Sequence, residues 1–343
     1  MAVHAFVKQA AFSGLCWLAR LRSIVSPRKV VLFCIEPTMG RKLHATAGLL
    51  RKHGIPATVS SSLDRSSRVQ LKASRDLFIG NWNSVAPDQM PRNYIFWNAE
   101  PISITGWSDD RDWGPPGEFH LRWHYSHARR KQWLAVMANA KAVWDYSLTN
   151  QALVTQRGLT FTHVPFGYAQ AYEDEFNLST SGKHVEQDID VLFFGWVSQR
   201  RQAILDELVR RGMKVHVASF INPAVDATLN GLLARSKIVL GIHCYAEPSA
   251  HLPDFARFDY LISNRLFAIH EQVSPAGLGT GLEENVTTAP YEALVDTCAH
   301  FIGHSEERAQ LAEKAYHWFK SAYALEDYVP FDQVRSLLAS RSN

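Results

Sequence analysis

Two apolar runs, residues 29–35 (KVVLFCI) and 190–194 (DVLFF), each lead through a turn into an amphipathic segment. This repeated unit constrains the fold more than any other feature. A run that is apolar throughout, without alternation, is the mark of a strand covered on both faces. Such strands need crossover helices, which makes the sheet parallel.

The first unit continues through Pro37 and Gly40 into a helix over 41–53, stopped by Gly54, and a strand over 57–60. Further strands are predicted at 77–80, 94–97, 142–144 and 162–165, with a helix over 120–139. The loop-rich stretch 101–118 is too long for a plain connection and reads as a functional loop. The second unit runs through a turn at 195–198 and a helix over 199–211 ended by Gly212. It adds strands at 215–219, 237–243 (KIVLGIH) and 266–270, a helix at about 254–263, and closing helices over 306–322 and 331–340. The intervening residues 169–189 are polar and poor in large aliphatics, as in a linker.

The pattern therefore predicts α/β architecture, with two Rossmann-like doubly wound domains facing a cleft. The expected division is an N-terminal amphipathic segment over 1–28, a first domain over 29–168, a linker over 169–189 and a second domain over 190–322. Ligands in such sheets sit beyond the carboxyl ends of the strands, so two facing domains share a site.

Composition narrows the class. With 46% hydrophobic residues among 343, the chain can bury substantial cores, which excludes a disordered chain or a coiled coil. Its four cysteines, Cys16, Cys34, Cys244 and Cys298, form no CxxC pair, so neither a disulfide scaffold nor a structural zinc module is expected. Several of the ten tryptophans fall in expected loops, where aromatics often serve binding.

The net charge of +3 conceals an asymmetry. Residues 1–75 carry 13 Lys/Arg against two acids, Glu36 and Asp64, while the rest of the chain is acidic. This front is either a solvated basic face or a surface for an anionic lipid or phosphorylated acceptor. The apolar segment 10–19 is too short to span a bilayer and lacks a signal-peptide cleavage site. Residues 2–25 fit an amphipathic helix that lies on a membrane or packs on its own domain.

In the second half, Gly195, Trp196, Val197, Ser198, Gln199, Arg200 and Arg201 follow a buried strand and open a helix capped by Ser198. Arginines in a first helical turn oppose the helix dipole. Arg200 and Arg201 are explained by an anion bound there or by pairing with Asp206 or Glu207. His243 and Tyr245 end a strand and should face the cleft, or His243 is a satisfied core histidine. Arg257 falls in the first turn of the next helix, at a second candidate diphosphate site or on the surface. Asn264 suits a left-handed helix end, and Glu271, ending a strand at the same rim, is placed to accept from sugar or ribose hydroxyls.

In the first half, Glu100 and Asp145 follow strands toward the cleft, where a carboxylate either takes a proton from an attacking hydroxyl or caps a loop. Glu36 and His44, around the first strand-to-helix turn, are weaker acceptor-side candidates. No metal site is expected, because His243, His251, Asp254 and Asp259 lack a recognised ligand spacing.

The succession WNAEP (97–101), VWDYSLTN (143–150), HVPFGY (163–168), DVLFFGWVSQRR (190–201), KIVLGIHCY (237–245) and RFDYLISNRLFAIHE (257–271) resembles bacterial glycosyltransferases of the GT-B fold, within the glycosyltransferase family 1 or CgeB-like group. The likeness covers roughly residues 90–320. It implies an acceptor on the first domain, a nucleotide-sugar donor on the second, and a last helix, over 323–343, that crosses back to the first.

The resemblance further implies metal-independent transfer with no cofactor beyond the nucleotide-sugar co-substrate, and no nucleic-acid partner. Gly195, Arg200, Arg201, His243, Tyr245, Arg257, Asn264 and Glu271 would serve the donor, and Glu100 would be the catalytic base. The acceptor would be a glycan or a lipid-linked hydroxyl, as in polysaccharide biosynthesis. The enzyme would work in the cytoplasm or peripherally at the inner membrane. Many retaining relatives carry two glutamates eight positions apart, where this sequence has His251 and Asp259, so stereochemistry stays open. Two alternatives share the architecture: a non-catalytic nucleotide- or glycan-binding protein, and a nucleotide-sugar epimerase.

Overall fold

The computed structural model describes residues 28–33, 39–60, 74–82, 85, 87–99, 127–156, 158–180, 185–218, 227–244, 255–273 and 280–340. Glu36, Glu100, Tyr245, His251, the basic segment 1–27 and the loop 101–118 lie outside these residues.

The first domain begins with β1 (Val30–Phe33), buried throughout, and α1 (Gly40–Lys52), which ends before the left-handed Gly54. Next come β2 (Ala57–Ser60), β3 (Leu77–Gly80), β4 (Tyr94–Asn98), α2 (His127–Ala138), β5 (Ala142–Asp145), α3 (Gln151–Thr155) and β6 (Phe161–His163). All six strands are parallel, in the order β2-β1-β3-β4-β5-β6.

After α4 (Gln170–Thr180), the second domain contains β7 (Ile189–Phe194), α5 (Gln199–Arg210), β8 (Val215–Ala218), α6 (Ala227–Ala234), β9 (Ser236–Gly241), α7 (Phe255–Ser263), β10 (Ala268–Glu271), α8 (Leu282–Asn285) and β11 (Thr287–Ala289). Its sheet is also parallel, in the order β11-β10-β9-β7-β8. In both sheets the first strand lies between the second and the third. The order in which strands are added therefore reverses beside β1 and beside β7, and such switch points open a crevice at the carboxyl edge.

The helices α9 (Leu294–Ile302), α10 (Ser305–Ala322), α11 (Leu325–Tyr328) and α12 (Phe331–Ala339) close the chain. The chain passes between domains twice at one place. The Tyr168 amide donates to Tyr323 O at 2.7 Å, and the Leu325 amide donates back to Tyr168 O at 2.9 Å. Gly167 permits this crossing, because a Cβ there would lie 2.2 Å from Tyr323 O. Beyond it, α12 packs on the first domain: Trp144 Nε1 donates to Gln333 Oε1 at 2.8 Å, and Phe331 stacks on His53 at 3.8 Å.

One apolar cluster runs from Val30, Leu43 and Trp97 through Tyr172 to Leu192, Phe258 and Phe319, so the two domains share a core. Separate clusters cover the outer face of each sheet. Among the described residues, no helix is long and apolar enough to cross a membrane.

The structure corrects several sequence expectations. Residues 170–180, read as linker, form α4, a helix hidden from periodicity because Tyr172 is its one fully buried side chain. The helix α6 (ATLNGLLA) is only eight residues long, with Thr228, Asn230 and Gly231 among its apolar residues, too short to show a helical period. Trp97, Trp133 and Trp144, on predicted elements, are fully buried in the first domain, as is Trp82 just beyond β3, whereas Trp107 and Trp113 of the loop-rich stretch lie outside the described residues. The left-handed residue after α7 is Arg265 (φ 53°), one position beyond Asn264.

Candidate active site

At the carboxyl edge of the second sheet, β7 ends in Phe194 and the chain turns at Gly195 (φ 128°). This conformation suits glycine, and a Cβ there would also lie 3.0 Å from Arg257 Nη2. The Arg257 guanidinium, from the first turn of α7, sits 5.3 Å from the Phe194 ring centre and 5.7 Å from that of Phe193. Chain reversal and guanidinium thus meet above the end of β7.

Ser198 caps α5, its Oγ accepting from the Arg201 amide at 3.4 Å and donating to Cys244 O at 3.2 Å. The helix N-terminus is thereby tied to the loop after β9. Neither arginine pairs with Asp206 or Glu207 in the contacts observed; Glu207 holds Arg210 and Arg211.

Arg200 forms a two-pronged ion pair with Glu271, with Nη1 2.7 Å from Oε2 and Nη2 on Oε1, and it also donates to His243 O at 3.0 Å. Tyr291 lies against the guanidinium, 3.8 Å from ring centre to Cζ, and its hydroxyl donates to Arg200 O at 2.8 Å. Arg201 is buried, with Nε donating to Ile242 O at 2.8 Å and Nη1 to Trp196 O at 2.7 Å. It braces the loops after β7 and β9 from within, a role other than the direct anion contact expected of it.

Glu271 is only 2% exposed. Its carboxylate holds Arg200 and accepts the His243 amide at 2.9 Å, so it orders the rim and does not present an open acceptor to a sugar. The His243 ring is buried against His270, its Nε2 3.2 Å from Gln272 O. Asn264 donates to Tyr260 O at 2.8 Å and so closes the end of α7.

In the first domain, Asp145 is fully buried at the end of β5. It accepts from Asn98 Nδ2 at 2.9 Å, Asn150 Nδ2 at 3.0 Å and the Ser147 amide at 2.9 Å. Burial pushes its carboxyl up to about 7 against the pull of these donors. It is a loop anchor in this arrangement. His44 is exposed, whereas Arg41 and Lys42, on the same helix, face the second domain.

Sequence reasoning missed that pair, and it singled out Asp259 without the lysine that holds it. Lys42 Nζ lies 3.0 Å from Asp259 Oδ2 in α7. Arg41 donates to Glu175 Oε1 at 2.8 Å and Asn230 Oδ1 at 3.2 Å, and its guanidinium lies 3.7 Å from the Tyr260 ring centre. Tyr260 Oη also donates to Asn230 Oδ1, at 2.9 Å. Two adjacent basic residues opening a helix signal an unusual environment, but partners 134 to 219 positions away cannot be read from spacing. Tyr291 was missed for the same reason.

No protein-family model and no curated protein sequence matches the chain. Solved structures do. Sucrose-phosphate synthase from Thermosynechococcus elongatus is 9% identical with a TM-score of 0.54, covering 91% of this chain and all of that one. WaaG, a glycosyltransferase involved in lipopolysaccharide biosynthesis, is 12% identical with a TM-score of 0.52, over 91% of this chain and all of its own. Anabaena HepE in complex with UDP and glucose is 12% identical with a TM-score of 0.53, over 92% of this chain and all of its own. The two parallel sheets, the double crossing at Tyr168 and these likenesses give the chain the GT-B fold.

Proposed function

We propose that this protein is a glycosyltransferase that moves a sugar from a nucleotide-sugar donor to a hydroxyl acceptor. The observation that carries the reading is the convergence of Gly195, the capped start of α5 and Arg257 at the switch point of the second sheet. A structural neighbour with a TM-score of 0.53 was solved with UDP-glucose bound, which supports a nucleotide sugar as the ligand class.

The leaving diphosphate gains negative charge as the glycosidic bond breaks. Amides at the α5 start and the Arg257 guanidinium would stabilise that charge in the place a divalent ion takes in other transferases. Arg200, held between Glu271 and Tyr291, supplies a second guanidinium at the rim. Closure of the two domains over donor and acceptor would exclude water from the transfer. On the acceptor side, Glu100 is our candidate base, and Asp145 holds the loop that follows β5. A glycan or lipid-linked acceptor and a site of action at the inner membrane surface would suit the basic residues 1–75.

A thermal-shift screen with UDP, ADP, GDP and dTDP and their glucose conjugates tests the reading. At 100 times its dissociation constant, the true donor should stabilise the chain by about 2.7 kcal/mol. Arg257→Ala should abolish that shift. If no nucleotide sugar shifts the wild type, the reading fails. Binding without transfer to any acceptor would mark a non-catalytic protein, and donor conversion without acceptor would mark an epimerase.

A further inference from the structure

Outside the candidate site, His300 at the end of α9, His304 just before α10 and Glu307 in the first turn of α10 form an exposed cluster. One ligand atom from each lies within 4.8 Å of the other two. We infer that this corner is a binding site for a divalent transition-metal ion of the Zn2+ class.

Three features support it. His300 Nε2 and Glu307 Oε2 are already 3.2 Å apart, close to the roughly 3.3 Å between neighbouring ligands of a tetrahedral zinc site. His304 Nδ1 contacts the His300 carbonyl, which can only accept, so Nδ1 carries the proton and Nε2 keeps its lone pair. Metal-binding histidines are commonly oriented this way, by donating the other ring N–H to a carbonyl. The corner itself is fixed, because Arg308 donates to Phe301 O and to Ile302 O, the last carbonyls of α9.

Two imidazoles and a carboxylate suit zinc, copper or nickel better than magnesium or calcium, and water would complete the shell. The imidazoles lie stacked with ring centres 4.1 Å apart, so the His300 ring would turn toward the ion while His304 keeps its Nδ1 contact. The ion would clamp α9 to α10 and so tighten the second domain. The site shares no residue with the proposed donor site, and its test does not depend on that reading.

The test titrates Zn2+ into the untagged full chain after chelator treatment, with calorimetry as the readout and Co2+ visible absorption as a second probe. One ion should bind per chain and raise the melting temperature. His300→Ala and His304→Ala should each weaken binding by at least the roughly tenfold that losing even an outer-shell partner costs. Glu307→Gln should weaken it too. All three side chains are exposed, so the metal-free variants should melt like the wild type. His317→Ala, at the exposed two-ligand pair with Glu313 (3.0 Å), should change nothing. No saturable binding, or wild-type affinity in both histidine variants, would overturn the site.

Discussion

Lys42 Nζ of α1 and Asp259 Oδ2 of α7 lie 3.0 Å apart across the two domains, with side chains 5% and 0% exposed. Asp259 also accepts the Tyr260 amide at 2.7 Å and the Tyr172 hydroxyl at 3.4 Å. Burial raises the Asp259 carboxyl above its ordinary range, and Lys42 opposes that rise. A buried pair gives little net stability, since desolvating both ions offsets their attraction. Its consequence is positional: α1 and α7 fit one another in one register, or two charges lose their partners.

Lys42→Met should therefore destabilise the protein by roughly 3–5 kcal/mol, the usual cost of leaving one buried charge uncompensated. The loss should shrink as pH falls, because protonation of Asp259 removes the stranded charge. The double variant Lys42→Met with Asp259→Leu should recover much of it. Urea unfolding at pH 5 and pH 8 measures all three; equal losses for the single and double variants would contradict a coupled pair.

Arg200 and Arg201 should separate in their effects. Arg201→Met removes donors to Ile242 O and Trp196 O, leaving two carbonyls short of partners at about 1–3 kcal/mol each. Arg200→Lys keeps the charge beside Glu271 but loses the planar fork. We expect the first to lower the melting temperature and the second to lower nucleotide affinity, as read by melting curves with and without the donor.

Gly167→Ala should disrupt the crossing, because the new methyl carbon would meet backbone, not a movable side chain. The cost should reach or exceed the top of the ~1–3 kcal/mol range for overpacking. Gly48→Ala, in mid-helix with no atom within 4 Å, should instead stabilise by about 0.5–1 kcal/mol. Parallel melting curves of the two variants give the contrast.

Asp145 should make stability fall as pH rises. Its folded carboxyl, near 7, binds a proton more tightly than the unfolded one at 3.8. Its contribution is complete below about pH 4 and is lost as pH climbs through 7. Asp145→Asn removes this titration, although its amide faces the Asn98 and Asn150 donors and will cost stability at every pH. The difference between wild-type and variant melting temperatures should narrow from pH 4 to pH 8; a constant difference would show that Asp145 is ionised throughout.

Much of the fold is legible in the sequence, for a local reason. Residues 191–194 and 238–242 are apolar or glycine on both faces, and only a strand between two helical layers buries them fully. Gly54, Ser198 and Gly212 mark helix ends through conformations and caps that depend on neighbours within four residues. What tertiary structure alone decided was the partner of each charged group. The sequence leaves Asp145 open between a base and a loop cap, and Arg201 between an anion contact and an internal pair, and it places Glu271 toward hydroxyls; the partners that hold each of them lie up to 71 positions away. Lys42 and Asp259 share no spacing that joins them, because a contact between domains depends on how two finished surfaces meet. Periodicity reports which side of an element avoids water; it carries nothing about which ion will be waiting there.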